Sequence, residues 1–224
     1  MNTDETEISN FASSLVKRTY DQPELFGDVL ADLIQRLNKQ FPNDIGLFCG
    51  CLMLNHCNLK SGEAIFLQAK DPHAYISGDI MECMAASDNV IRSGFTPKFK
   101  DVDVLVDCLT YETNDVEEQK LKPALFERGS GDAILNLYDP PIDEFSVLQI
   151  IFNENKTTES FKSIDGPSIL IVTEGEGEIK IKNSDSSSLP CSEGFVFFIA
   201  PNTEIEMSCT SDKKFISYRA YCEA

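Results

Sequence analysis

Apolar residues first settle into a rhythm after Pro23. Leu25, Phe26, Val29, Leu30, Leu33, Ile34 and Leu37 recur at steps of one, three and four, which lays one apolar stripe along a helix. Pro23 suits a first turn, Glu24 and Asp28 sit near the positive end of the helix dipole, and Phe41-Pro42-Asn43 stops the helix. Residues 1–20 are polar and show no convincing period. After Asp44 the grammar changes. "IGLFCGCLMLNHCNL" reads as a buried strand or short helix, "KSGE" as a turn and "AIFLQA" as a strand. "HAYISGDIMECMA" and "NVIRSGF" read as further short strands broken by Gly78, Gly94 and Pro97. "KDVDVLVDCLTY" predicts an amphipathic helix with Val102, Leu105, Val106 and Leu109 on one face, and "TNDVEEQKLKPALFERGSGDA" a polar connector.

From Phe145 a second β-region runs through "FSVLQIIF", "SILIVTEGEGEIKIKN", "GFVFFIAP", "EIEMSC" and "FISYRAYC". "GEIKIKN" alternates as a half-exposed strand should. "EGEGE" predicts a hairpin turn, because a phosphate cradle needs a following helix and a strand follows here. Short strands between Gly and Pro turns predict a mainly β protein, a sandwich or jelly roll, with a helical segment at the N-terminus.

Composition narrows the function. At 224 residues the chain can bury one sizeable core or two small ones. A formal charge of −18 argues against nucleic acid, which needs a basic face. It leaves room for a small phosphorylated ligand on a local cluster such as Arg92, Lys98 and Lys100. No run approaches the length of a membrane span, and "MNTDETEISN" lacks the basic and apolar regions of a secretory signal, so the expectation is a cytoplasmic protein. The eight cysteines lie mostly in apolar surroundings and read as reduced, buried thiols, and "CGC" lacks metal-binding CxxC spacing.

The densest polar chemistry lies in "PHAYISGDIMECMAASDNVIRSGFTPK", Pro72 to Lys98. His73 is one of two histidines. On a strand it reads either as a metal ligand facing a barrel mouth or as a hydrogen-bonded core residue, with no second ligand at i+2 or i+4. His56, among core-like neighbours, reads as structural. Glu82, flanked by apolar residues, reads equally as a cavity carboxylate able to take or give a proton or as a structural group. Asp79 lies three residues before it, and Asp88 in "SDN" suits a turn or an acid–base role. Arg92, between Ile91 and Ser93, needs a partner, either a carboxylate or an anionic substrate. Lys98 and Lys100 read as surface cations. The C-terminal β-region contains no histidine, hence no typical cupin metal set.

This stretch resembles the second signature of the type I mannose-6-phosphate isomerases: H-A-Y, a glycine, E-x-M-A-x-S-D-N, then R-A-G-x-T-P-K. "LKSGEAIFLQAKD", "FKDVDVLVDCLTYE" and "DGPSIL…GFVFFIAP…YRAY…EA" are similar to that family too, closest to its fungal members. The resemblance implies a cupin-like double β-sandwich, with residues 1–44 the remnant of a helical insertion domain. Residues 45–140 would then be the C-terminal part of the catalytic cupin with a helix and connector, and 141–224 a C-terminal cupin-like domain. It implies a zinc-dependent aldose–ketose isomerase, monomeric when complete, that interconverts mannose 6-phosphate and fructose 6-phosphate and feeds GDP-mannose synthesis. His73 becomes a zinc ligand and Arg92 catalytic, with Glu82, Asp88 and Lys98 as supporting contacts. Two departures stand out. Ser93 replaces the family's usual alanine, and no Q-x-H motif supplies the other zinc ligands, so one ligand of four is expected here and the chain reads as a C-terminal portion. The alternatives are an inactive cupin-like binding protein and, more weakly, another cupin enzyme.

Overall fold

The computed structural model describes residues 1–87, 90–153, 157–184 and 186–223. The chain divides into two compact units. Met1–Ser61, Ile65–Gly78 and Ser87–Lys120 form the first, and Gly62–Ala64, Asp79–Ala86 and Leu121–Ala224 the second.

In the first unit, α1 (Glu5–Asp21) starts where the Asp4 carboxylate accepts from the Thr6 and Glu7 amides. That satisfies two of the N–H groups that a helix start leaves open. The sequence reading gave no helix here. The inward stripe of Ala12, Leu15 and Thr19 steps by three and four, yet only Leu15 is a large hydrophobe. Thr19 tolerates burial because its hydroxyl donates to the Val16 carbonyl and accepts from Gln35 Nε2. A 3₁₀ turn (Pro23–Leu25) leads into α2 (Gly27–Gln40), which ends at Phe41 as expected. Ile34 and Leu37 are buried on α2, whereas Leu25 and Val29 are exposed. Leu25 lies in the turn, out of phase with α2, and Val29 lies about 140° round the helix from Ile34.

The apolar run after Asp44 forms only α3 (Gly46–Cys49) and then leaves Leu52, Met53 and Leu54 exposed. His56 is exposed as well, not the core residue its neighbours suggested. Ala12, Leu15, Leu33, Ile34, Leu37, Leu47 and Cys51 make the core of this unit, and Ile76 and Phe95 pack against it. Of "AIFLQA" only β1 (Ala64–Ile65) forms, and the described residues from 66 to 100 hold no strand. The strands expected in "HAYISGDIMECMA" and, from Val90 on, in "NVIRSGF" are therefore replaced by irregular chain. An extended segment becomes a strand only when a neighbour satisfies its N–H and C=O groups, which local sequence does not reveal. α4 (Val102–Cys108) forms, but Leu105 alone of its expected face is buried, and Val106 is exposed. α5 (Val116–Gln119) and β2 (Lys120–Leu121) follow inside the expected connector.

The second unit starts its strands well before Phe145, with β3 (Ala124–Leu125), β4 (Gly129–Gly131) and β5 (Ile134–Tyr138). β6 (Ser146–Phe152), β7 (Thr158–Phe161), β8 (Ser168–Glu174), β9 (Glu176–Ile181) and β10 (Leu189–Ser192) follow. β11 (Val196–Ile199), β12 (Ile205–Cys209) and β13 (Phe215–Tyr221) complete the series. Among the described residues they make a six-stranded sheet in the order β11-β8-β13-β6-β5-β3 and a five-stranded sheet in the order β10-β9-β12-β7-β4. β3 and β4 are edge strands of two and three residues, recruited by pairing with β5 and β7, and too short to carry an alternation to read. Leu148, Ile150, Phe152, Leu170, Val172 and Phe215 from the larger sheet share one core with Phe161, Ile179, Ile205 and Met207 from the smaller. Phe152 and Phe215 stack with ring centroids 5.3 Å apart.

The hairpin expected at "EGEGE" is corrected. β8 pairs with β11 and β13, whereas β9 pairs with β10 and β12, so the chain turns a corner from one sheet to the other. Gly175 makes the corner with φ at +80°, and a Cβ there would stand 2.2 Å from the Lys214 carbonyl oxygen. Tight hairpins and sheet-switching corners demand the same backbone freedom, so glycine marks both.

Two ionisable groups interrupt this core. Arg219, 1% exposed on β13, donates through Nη2 to Ser168 Oγ (2.9 Å), while Nε and Nη1 have no partner among the described residues. Burial pushes its guanidinium down to about 10. Glu159 on β7 accepts at Oε2 from the Ala133 N–H (3.1 Å), and burial raises its carboxyl above the usual range against that pull. All eight cysteines are free, but Cys51, Cys191 and Cys209 alone are buried, so the expectation of buried thiols holds for those three. No helix of the described residues is long and apolar enough to cross a membrane.

Candidate active site

His73 stands on irregular chain and is exposed, which removes the core-histidine reading. Its Nδ1 lies 2.9 Å from the Asp71 carbonyl oxygen. A carbonyl only accepts, so Nδ1 is the donor, and in the neutral ring Nε2 is the nitrogen left with a lone pair for a ligand or base role. Three residues on, Ile76 packs against the helical core, and its carbonyl accepts from Arg36 Nη2 on α2 (3.2 Å). The Asp71 carboxylate is itself fixed, accepting from the Thr110 hydroxyl at 3.1 Å.

Arg92 is half-buried and has no hydrogen-bond or ion-pair partner among the described residues. The sequence reading required a partner, and no protein carboxylate described here supplies it. The chain just beyond Arg92 is held firmly. Ser93 Oγ lies 3.7 Å from Cys49 Sγ, and the Phe95 N–H donates to Asp44 Oδ1 at 2.7 Å. The same oxygen accepts from the Gly46 N–H at 2.7 Å. Gly94 crosses Gly46 so closely that a Cβ on it would come within 2.7 Å of the Gly46 Cα. Phe95 adopts φ +54°, and its ring lies 5.5 Å from that of Phe41, centroid to centroid.

Glu82 is exposed, lies in no strand and belongs to the second unit, so the strand alternation that aimed it into a cavity does not apply. His73, Arg92 and Lys98 belong to the first unit, where no hydrogen bond or ion pair joins any two of them among the described residues. Lys98 is exposed. Asp88 lies outside the described residues. The sequence reading missed Asp44, Arg36 and Phe95 as residues that hold the segments carrying His73 and Arg92. Asp44 looked like the end of a helix signal, and only the glycines facing each other at Gly46 and Gly94 hinted at a close crossing.

The donor set does not make a metal site by itself. Among the described residues no group of three or more His, Cys, Asp or Glu side chains is placed to hold a metal ion, and a protein zinc site takes three or four donors. His73, with Nδ1 engaged and Nε2 open, fits the part of one such donor.

Two family models match the chain: the helical insertion domain of type I phosphomannose isomerase over residues 1–54, and the type I phosphomannose isomerase C-terminal model over residues 136–184. A mannose-6-phosphate isomerase of Ogataea parapolymorpha is 67% identical over all of this chain and 52% of its own length. That of Saccharomyces cerevisiae is 56% identical over all of this chain and 51% of its own length. The chain belongs to the type I phosphomannose isomerase family. It spans about half the length of the curated relatives it matches. Solved phosphomannose isomerase structures from Salmonella typhimurium share its fold. An arginine-to-alanine variant superposes with a TM-score of 0.76 at 24% identity, covering all of this chain and 53% of that one. Glutamate-to-alanine and histidine-to-alanine variants are also similar to this member of the family, and their replaced positions run histidine, glutamate nine residues on, arginine ten further.

Proposed function

We propose that this chain is the portion of a mannose-6-phosphate isomerase that supplies Arg92 and His73 to the active site. The observation that carries the reading is a half-buried guanidinium without a partner among the described residues, on an anchored loop. A cation kept so is available to an anion. Spacing supports the same residues: His73, Glu82 and Arg92 are nine and ten positions apart, as are the residues replaced in the Salmonella enzyme.

Interconversion of mannose 6-phosphate and fructose 6-phosphate moves a proton between C2 and C1. A base takes the C2 proton of the aldose, an enediolate forms, and the proton returns at C1. The developing oxyanion is what Arg92 would stabilise, through N–H donors fixed before reaction. Glu82, exposed and ionisable, and Asp88 are the acid–base candidates, and Lys98 a contact for the phosphate. Zinc goes with the family reading, but of the donors it needs these residues provide one, His73, and no step here depends on it. The cytoplasm as location and GDP-mannose synthesis as consumer belong to the same reading.

The test replaces the matching half of the Saccharomyces cerevisiae relative with this chain and assays the chimaera on mannose 6-phosphate. Turnover is expected, and Arg92→Ala should lower kcat about 10²–10³-fold, the usual loss for one oxyanion donor. Absence of turnover would favour an inactive binding protein. An effect of Arg92→Ala confined to KM would make Arg92 a uniform-binding residue.

A further inference from the structure

We infer that Asp44, from the segment matching the helical insertion domain, is a positioning residue that sets the Arg92 side chain through the backbone of Phe95. The inference rests on the reading of Arg92 above. One carboxylate oxygen, Oδ1, accepts from two backbone N–H groups, Gly46 at the start of α3 and Phe95, each at 2.7 Å. It thus ties the loop that follows Arg92 to the helical core. The tie is tight on both sides, because Gly94 and Gly46 meet backbone to backbone with no room for a methyl group. The Phe95 ring occupies the space beside Gly46 and Gly50 and tilts against Phe41.

Phe95 itself is strained. A bulky residue at φ +54° is disfavoured unless its surroundings over-determine it, and such strain collects at functional sites. Here the surroundings are the Asp44 hydrogen bond and the ring pocket. Cys49, on the same short helix, adds a weak contact to Ser93, next to Arg92. The two residues between Arg92 and its anchor, Ser93 and Gly94, leave little slack. Release of the Phe95 N–H would relax that φ angle and shift the guanidinium. The carboxylate acts as a geometric acceptor, so its charge is incidental and an amide oxygen can replace it.

The experiment uses the chimaera with four variants: Arg92→Ala, Asp44→Ala, Asp44→Asn and the pair Asp44→Ala with Arg92→Ala. Asp44→Ala is expected to lower kcat by up to about 10²-fold with little change in KM, the scale of a misplacement of about 1 Å. Asp44→Asn, which keeps the acceptor, should recover most of that loss. The double variant should be no slower than Arg92→Ala alone, because the two substitutions remove one contribution. A merely structural Asp44 would lower the melting temperature while leaving kcat per folded molecule, and its effect would multiply with that of Arg92→Ala. Asp44→Glu keeps the charge but moves the oxygen, and serves if Asp44→Ala does not fold. It should slow kcat where Asn does not, and the opposite order overturns the inference. If Arg92→Ala slows the enzyme and Asp44→Ala does not, the inference alone fails. If Arg92→Ala leaves kcat unchanged, the reading of Arg92 fails and the inference with it.

Discussion

Replacing Arg219 by methionine should stabilise the β-sandwich. The side chain is 1% exposed among apolar neighbours, and one hydrogen bond, to Ser168, accounts for its only partner among the described residues. Burial lowers its guanidinium from the ordinary arginine range to about 10, which disfavours the charged form in the fold by about 3 kcal/mol. Methionine is unbranched and brings no buried donor of its own, although the buried Ser168 hydroxyl loses its arginine partner. Against this stands the lost bond to Ser168, worth about 1.5–3 kcal/mol when one partner is charged. Substitutions of buried charge by apolar groups of like volume are neutral or stabilising by about 1–4 kcal/mol, so a gain of about 1–2 kcal/mol is expected. The pH dependence follows from the sign. A base whose folded value is lowered gives up its proton first in the folded state, so wild-type stability climbs as pH rises above about 10. At pH 7 both states are charged, the burial penalty is present in full, and the methionine advantage should be constant across neutral pH. Urea unfolding followed by far-UV circular dichroism is the assay, since the chain has no tryptophan. A loss of 1 kcal/mol or more on substitution would refute the reasoning and would mean that the guanidinium is satisfied in solution by water or an anion.

Phe152→Ala identifies the sandwich transition in the same experiment. It opens a cavity beside Phe215 and should lower stability by about 3–5 kcal/mol, and a loss below 1 kcal/mol would contradict the stacked, fully buried pair. Glu159→Gln tests the buried carboxyl. Its folded value is raised, so the wild type gains stability below the ordinary carboxylate range and loses it as pH rises through the folded value. The glutamine variant should therefore melt higher than wild type at pH 7 and nearly with it at pH 4, and equal melting at both would show that the carboxyl is not desolvated.

The sequence by itself determined the pieces whose signal is local. α2 announced itself through the spacing of Leu30, Leu33, Ile34 and Leu37 and stopped at Phe41-Pro42, because helix periodicity and proline sterics act within a few residues. "GEIKIKN" showed the alternation of β9, β6 showed as an apolar run, and the motif from His73 to Lys98 named a family because those residue types stand at fixed intervals. Tertiary structure decided what depends on a distant neighbour. α1 hid because Leu15 is the one large hydrophobe of its buried face, beside Ala12 and Thr19, and Thr19 becomes acceptable only when Gln35 arrives to bond it. β8 and β9 read as one hairpin, yet they pair with different partners on two sheets, and pairing is a long-range matter. Strands failed around His73 and Arg92 because no neighbouring chain among the described residues takes up their backbone groups. At the site the sequence supplied the chemistry of Arg92 and His73 but not their supports. Asp44 lies 51 residues from the Phe95 amide it holds, and Arg36 lies 40 from the Ile76 carbonyl, contacts that exist only once the helices have packed.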